Sequence, residues 1–328
     1  MAGELRVTRL SGSDHVVIVG AGLAGWRTSE ELRRHGFSGR ITLIGDEPEP
    51  PYDRPPLSKQ VLSGKWPLEH TTLATPEKID HANVEMRLGV GARSLDVAST
   101  TVTLNDGSAV AGTHVVIATG ARARRLAWYE PNVYLVRSRA DVRRLIARLD
   151  ELSPGDAVAI IGAGFIGAEV ATALKSRGLS PVLLEAEERP LLHVLGETVS
   201  QWLRDLPANF GVELRTTQKV EAVTYRDDPD MNGDADVIFE DASSLRVRAV
   251  VLGVGAQPNV EWLDDSGLLL DNGVVVDENQ LCAPRVGAVG DVASFSWSSD
   301  THVRIEHWQV ASDHAGALAR YWMTGESS

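Results

Sequence analysis

The chain has 328 residues, 43% of them apolar and 23% charged, with a formal net charge of −13 at neutral pH. That length suits two or three domains with ample buried core, and the acidic balance argues against non-specific nucleic-acid binding and against docking on anionic lipid. A single cysteine, Cys282, excludes an internal disulfide, a dithiol redox pair and a metal site built from several thiolates.

The start, MAGELRVTRLSGSD, lacks the apolar core of a secretion signal. The longest apolar stretch, Ala157 to Leu174, holds Glu169 in its interior, which a membrane span disfavours. A soluble, cytoplasmic protein is expected. The first predicted strand lies in HVVIVGAGLAGW, His15 to Trp26, and passes through Gly20, Gly22 and Gly25 into the helical pattern TSEELRRHG. In this spacing Gly20 permits the tight turn, Gly22 lets backbone approach a pyrophosphate, and Gly25 lets helix and strand pack closely. The helix N-terminus then offers free N–H groups to phosphate. A second strand, RITLIGD, ends at Asp46 and Glu47, where a ribose-binding acid belongs. The stretches VEMRLGV, TVTLNDG and AVAGTHVVIATG, from Val84 to Gly120, alternate and turn as hairpins do.

The device then recurs. VAIIGAGFIGAE, Val158 to Glu169, repeats the glycine spacing at Gly162, Gly164 and Gly167, and the strand PVLLEA carries Glu185 at its end. An acid there accepts hydrogen bonds from the ribose hydroxyls of NADH and repels the extra phosphate of NADPH. No positive charge follows until Arg189, so NADH is expected over NADPH. Each helix ends at a glycine, Gly36 or Gly178, suited to a left-handed cap. Strand-like segments return between Val212 and Pro258, GLLLDNGVVVDENQ reads as hairpin-like, Ser294 to Thr301 as a loop, and Ile305 to Met323 as a helix. The fold class is α/β: two interleaved Rossmann-like dinucleotide-binding domains with small antiparallel excursions.

Three further signals carry little weight. Asp228, Asp230, Asn232 and Gly233 mimic the opening of a calcium loop, but its twelfth position is Phe239 and its flanks are strand-like. His302, His307 and His314 lack supporting ligand spacing, so no metal is expected. The eight arginines from Arg122 to Arg148 read as solvated helix faces.

In order along the chain, GAGLAGW, LIGDEPEPPYDRPPLSK, VVIATGARARRL, YLVRSRADV, IIGAGFIGAE, LGVGAQPN, VGAVGDV and RIEHW resemble the flavin-dependent pyridine-nucleotide oxidoreductases. The likeness is to their ferredoxin, putidaredoxin and rubredoxin reductase branch, and to the oxidoreductase core of apoptosis-inducing factor. It implies that Gly20, Gly22, Ala24 and Asp46 hold the adenosine diphosphate half of FAD, and that Asp291 binds the ribityl chain. Arg54, Arg93 and Arg137 fall at FAD-contacting positions, Arg93 through its backbone. Lys59, paired with Glu169, would lie near flavin N5 and stabilise charge there. Trp308 would sit beside the isoalloxazine. Ala118-Thr119-Gly120 and Gly253-Val254-Gly255 would cross between domains, with Gly255 close to NADH. The implied FAD domain spans about 1–120 and 254–328, with the NADH domain at 121–253.

The implied activity passes electrons from NADH through FAD to an acidic [2Fe–2S] ferredoxin, or a rubredoxin-like acceptor, serving a cytochrome P450 or a ring-hydroxylating oxygenase. Part of the arginine-rich surface would receive that acceptor. The other reading is a redox-responsive NADH/FAD binding protein with slow turnover. An NADH oxidase or peroxidase is disfavoured, because no cysteine lies where PPLSK stands, and Cys282 reads as structural. Relatives continue beyond the RIEHW helix into a further small domain, whereas this chain stops at Ser328, as a truncated or a reduced member would.

Overall fold

A computed structural model describes residues 9–225, 233–298 and 301–327. The calcium-loop mimic from Asp228 to Asn232 lies outside the described residues. The chain divides into two compact units, Met1–Asp53 with Thr72–Arg122 and Gln257–Ser328, and Arg54–Thr71 with Ala123–Ala256.

The first unit begins with β1 (His15–Val19), α1 (Leu23–Arg34) and β2 (Arg40–Gly45). Val16, Val17 and Ile18 are wholly buried, as expected of a central parallel strand covered on both faces. After α2 (Pro76–Ala82) comes β3 (Val84–Leu88), then β4 (Ala92–Asp96), β5 (Thr101–Leu104), β6 (Ala109–Ala111) and β7 (His114–Ile117). Here the hairpin expectation is corrected at its two ends. β3 pairs parallel with β2, and β7 pairs parallel with β1, so only β4, β5 and β6 form the antiparallel excursion. Val84 is buried at the start of β3 and its other side chains are half-buried, a pattern that an edge strand and a hairpin share.

After β8 (Ala121–Ala123), the second unit repeats the plan with α3 (Arg139–Asp150), β9 (Ala157–Ile161), α4 (Phe165–Ser176), β10 (Ser180–Leu184), the kinked α5 (Leu192–Asp205) and β11 (Glu213–Arg215). Strands β12 (Val220–Tyr225), β13 (Ala235–Phe239) and β14 (Ser244–Val247) form its antiparallel excursion, and β15 (Ala249–Leu252) returns parallel to β9. The segment Arg54–Thr71, expected in the first discontinuous domain, groups with this second unit. Its Leu62 is fully buried in the same core cluster as Val170 and Leu174 of α4.

The chain returns through β16 (Ala256–Pro258), β17 (Val274–Val276), β18 (Leu281–Ala283), β19 (Val286–Ala288), β20 (Ala293–Ser298), β21 (Thr301–Val303) and α6 (Trp308–Thr324). The first unit's main sheet has the order β18-β19-β7-β1-β2-β3 among the described residues. Of the segment expected as a loop from Ser294 to Thr301, residues 299–300 lie outside the described residues and the rest is instead strand: β20 pairs antiparallel with β21 and parallel with β17. Its serines hid the pattern, although Ser294 is fully buried. α6 starts at Trp308, because His307 caps it by accepting the Gln309 N–H at 3.2 Å. Trp322 of α6 and Trp26 of α1 are buried in one core cluster.

The fingerprint glycines divide by what a side chain would meet. A Cβ on Gly25 would lie 2.0 Å from the Gly20 carbonyl oxygen, whereas one on Gly22 meets nothing within 4 Å. Gly25→Ala should therefore destabilise the protein by about 3 kcal/mol or more. Gly22→Ala should leave the melting temperature nearly unchanged while lowering FAD affinity at least about tenfold. Thermal unfolding and flavin titration of the two variants check this contrast.

Candidate dinucleotide sites

Three α-helices among the described residues, α1, α4 and α5, begin without side-chain caps, and two of these follow a glycine turn. α1 starts after Gly22 and α4 after Gly164, neither with an acid in its first turn. By contrast, Thr75 caps α2, and Ser138 with Asp141 forms a full capping box on α3. Uncapped N–H groups at a positive helix terminus suit a phosphate. A Cβ on Gly164 would meet nothing closer than Leu191 at 3.7 Å, so both middle glycines face open space of the kind a pyrophosphate needs. Gly20 and Gly162 both have positive φ and press against a returning strand. Their Cβ atoms would reach 2.1 Å from the Ala118 carbonyl oxygen and 2.4 Å from that of Gly253.

Asp46 and Glu185 each stand one residue beyond their strand, β2 or β10. The Glu185 carboxylate is already oriented: Oε2 accepts the Ala163 N–H and Oε1 the Glu187 N–H, each at 3.1 Å. Asp46 is exposed, while Glu47 accepts the Tyr52 hydroxyl at 2.5 Å. Ala24 lies against the turn of Asp291, since a Cβ on Gly290 would come within 2.7 Å of the Ala24 Cβ. Arg304 holds that turn by donating to the Asp291 carbonyl at 3.0 Å. Thr119 donates to the Asn259 carbonyl at 2.8 Å, Asn259 returns a bond to the Thr119 carbonyl at 2.9 Å, and the Gly120 carbonyl accepts the Asn259 N–H. Arg93 is exposed in a β-bulge of β4, where the ladder is interrupted.

In the second unit Lys59 and Glu169 meet, Nζ to Oε1, at 2.8 Å. Lys59 also donates to the Pro55 carbonyl at 3.2 Å. The pair is partly solvated and stabilises the fold by no more than about 1 kcal/mol, so its main effect is to fix a cation in place. Arg54 donates to the Arg137 carbonyl at 2.7 Å, which joins two of the expected positions. Gly255 has positive φ and open space around it, and its carbonyl accepts the Arg124 N–H.

Several contacts were not singled out from sequence. The buried Ser58 hydroxyl donates to Glu169 Oε2 at 2.5 Å. In the first unit, the Trp308 indole N–H donates to Asp53 Oδ1 at 3.0 Å, and Arg27 lies 5.8 Å from the Trp308 ring centre. Both partners, Ser58 and Asp53, stand inside PYDRPPLSK, a segment that carries the family resemblance without marking either residue. The arginine run is not simply a solvated face. Arg139 is buried on Thr71 and Leu68, Arg148 is buried on the Arg248 carbonyl, Arg125 and Arg144 lie over Tyr129 and Tyr134, and Arg122 pairs with Glu261.

Burial pushes the Cys282 thiol up to about 12, and it donates to the Val286 carbonyl, so it offers no thiolate near neutral pH. Among the described residues no cluster of three or more His, Cys, Asp or Glu is placed to hold a metal, and no helix is long and apolar enough to cross a membrane.

The profile of the pyridine nucleotide-disulphide oxidoreductase family matches residues 14–315. The chain belongs to that family. It is 36% identical over 312 residues to the ferredoxin–NAD(+) reductase subunit of a benzene 1,2-dioxygenase system from Pseudomonas putida, covering 94% of this chain and 74% of the relative. The ferredoxin reductase component of a chlorobenzene dioxygenase from a Cupriavidus species is 37% identical over 310 residues, 93% of this chain and 73% of that one. In the solved covalent putidaredoxin reductase–putidaredoxin complex, a chain 33% identical superposes with a TM-score of 0.88, over 97% of this chain and 76% of its own length. Despite the family's name, this member has a single cysteine and no disulfide partner for it.

His314 gives the first site a pH dependence. Burial lowers its pKa from 6.5, against the opposing charges of Asp313 and Asp291, and its Nδ1 accepts the Gly290 N–H at 3.3 Å. The folded state thus binds this proton less readily than the unfolded chain, and stability from this group is lost as pH falls below the unfolded value. His314→Gln keeps an acceptor but does not titrate, so its melting temperature should fall less than wild type between about pH 7 and pH 5. Equal slopes in a melting series would contradict this.

Proposed function

We propose that this protein is an NADH-dependent flavoprotein reductase whose first unit binds FAD and whose second binds NADH, and which supplies electrons to a small iron–sulfur protein. The observation that carries the reading is the pair of uncapped glycine-turn helices, each with an acid one residue beyond the second strand. The relatives' names place them in dioxygenase electron-transfer systems, and that supports a ferredoxin as acceptor. An acidic [2Fe–2S] ferredoxin is the acceptor we favour, with the cytoplasm as the compartment.

FAD supplies the chemistry when bound: it takes a hydride from NADH and releases the two electrons singly. The protein's own residues bind and orient. In the first unit the α1 terminus and Gly22 receive the FAD pyrophosphate, Asp46 its ribose, and Asp291, on the turn beside Ala24, the ribityl hydroxyls. Thr119, Gly120 and Arg93 take further FAD positions in this unit that the family resemblance implies. In the second unit the α4 terminus and Gly164 receive the NADH pyrophosphate, and Glu185 accepts from its ribose hydroxyls. Lys59, held by Glu169 and Pro55, provides a fixed positive charge of the kind that favours electron arrival at a redox centre. Asp53 fixes the ring of Trp308 by accepting its indole N–H, so that its face is presented in one orientation.

Steady-state NADH oxidation with a [2Fe–2S] ferredoxin tests the reading. Rapid ferredoxin reduction is expected, and Lys59→Ala should slow it about 10²-fold. NADH consumption that never reduces ferredoxin would overturn the assignment and favour a slow, redox-responsive binding protein.

A further inference from the structure

The loop after β10 carries a cation that Glu185 alone does not explain. Four residues beyond Glu185, Arg189 has a buried Nε with no hydrogen-bond partner among the described residues. Arg204 reaches the same place from α5. Both guanidinium groups approach one oxygen, Glu188 Oε1, at 4.0 Å from Arg189 Nε and 3.5 Å from Arg204 Nη1. An arginine close to the end of this strand is the usual partner of a 2′-phosphate in NADP-binding domains. Two arginines converging there could clamp a phosphate, as forked donors do.

We propose that Glu188 is a specificity-determining residue: it occupies Arg189 and Arg204 and so denies them to the 2′-phosphate of NADPH. Two effects act in the same direction. The carboxylate neutralises Arg189 and Arg204, and its own charge repels the incoming phosphate. Glu185 discriminates by holding the ribose hydroxyls, with its carboxylate fixed by the Ala163 and Glu187 N–H groups. Glu188 discriminates by removing an anion site that would otherwise exist. The pair is exposed on the Glu188 side and contributes little to stability, so changing it should not disturb the fold. The inference rests on the second unit being the NAD(H) site.

Direct titration of the FAD-loaded protein with NADH and with NADPH, followed by tryptophan fluorescence, tests it. Glu188→Gln should tighten NADPH about tenfold relative to NADH. Adding Arg204→Gln to that variant should abolish most of the gain. Glu187→Gln removes the same charge from a neighbouring position without releasing an arginine, so it should shift the NADPH-to-NADH ratio by much less than Glu188→Gln. An unchanged ratio in Glu188→Gln, or an equal shift in Glu187→Gln, would overturn the proposal while leaving the functional reading intact. Wild-type protein that binds neither nucleotide would overturn the functional reading, and this proposal with it.

Discussion

A Cβ on Gly25 would stand 2.0 Å from the Gly20 carbonyl oxygen, and one on Gly167 would stand 2.0 Å from that of Gly162. Everything else at the two candidate sites depends on this backbone-to-backbone approach. It brings the first turn of α1 against the end of β1, and the first turn of α4 against the end of β9. The helix termini then point their free N–H groups at the carboxyl end of a parallel sheet, where ligands of such sheets bind. The same closeness forbids any side chain at Gly20 or Gly162, whose Cβ atoms would enter the returning strand. Only the middle glycines, Gly22 and Gly164, face open space. Three glycines in one motif therefore answer to two demands, packing and ligand.

This is why so much of the fold was legible. Glycine spacing, buried β-branched runs and the terminal acids are local signals with steric causes, and the structure places them on adjacent strands and helices of each unit. Other features were illegible because their causes are not local. Val84–Leu88 alternates like a hairpin strand, and only pairing with β2 makes it the edge of the parallel sheet. Ser294 looks like loop composition, yet it is buried once β20 pairs with both β17 and β21. The spacing of the arginine run suits solvated helix faces, but Arg139 and Arg148 turn inward to satisfy backbone carbonyls. Helical spacing marks which face an arginine occupies and does not reveal a carbonyl contributed from far along the chain.

Within the candidate sites, sequence marked the charged members and missed their neutral or neighbouring supports. Lys59 and Glu169 stand out by charge and position, whereas Ser58 is an inconspicuous residue until its hydroxyl is seen on Glu169. Asp53 is likewise one acid among many until it holds the Trp308 indole. Such supporting contacts determine orientation. An exposed ion pair contributes little stability, but a carboxylate held by a buried hydroxyl has a defined direction. The acidic loop follows the same logic at Glu185 and Glu188, whose charges are held by backbone N–H groups and by arginines.

The central claim is that one chain carries two dinucleotide sites that exchange electrons. Anaerobic titration of the purified, FAD-loaded protein with NADH, followed in the visible flavin band, tests it most directly. The account predicts full bleaching at one NADH per flavin. A protein that binds no flavin, or whose flavin band NADH leaves unchanged, would contradict it.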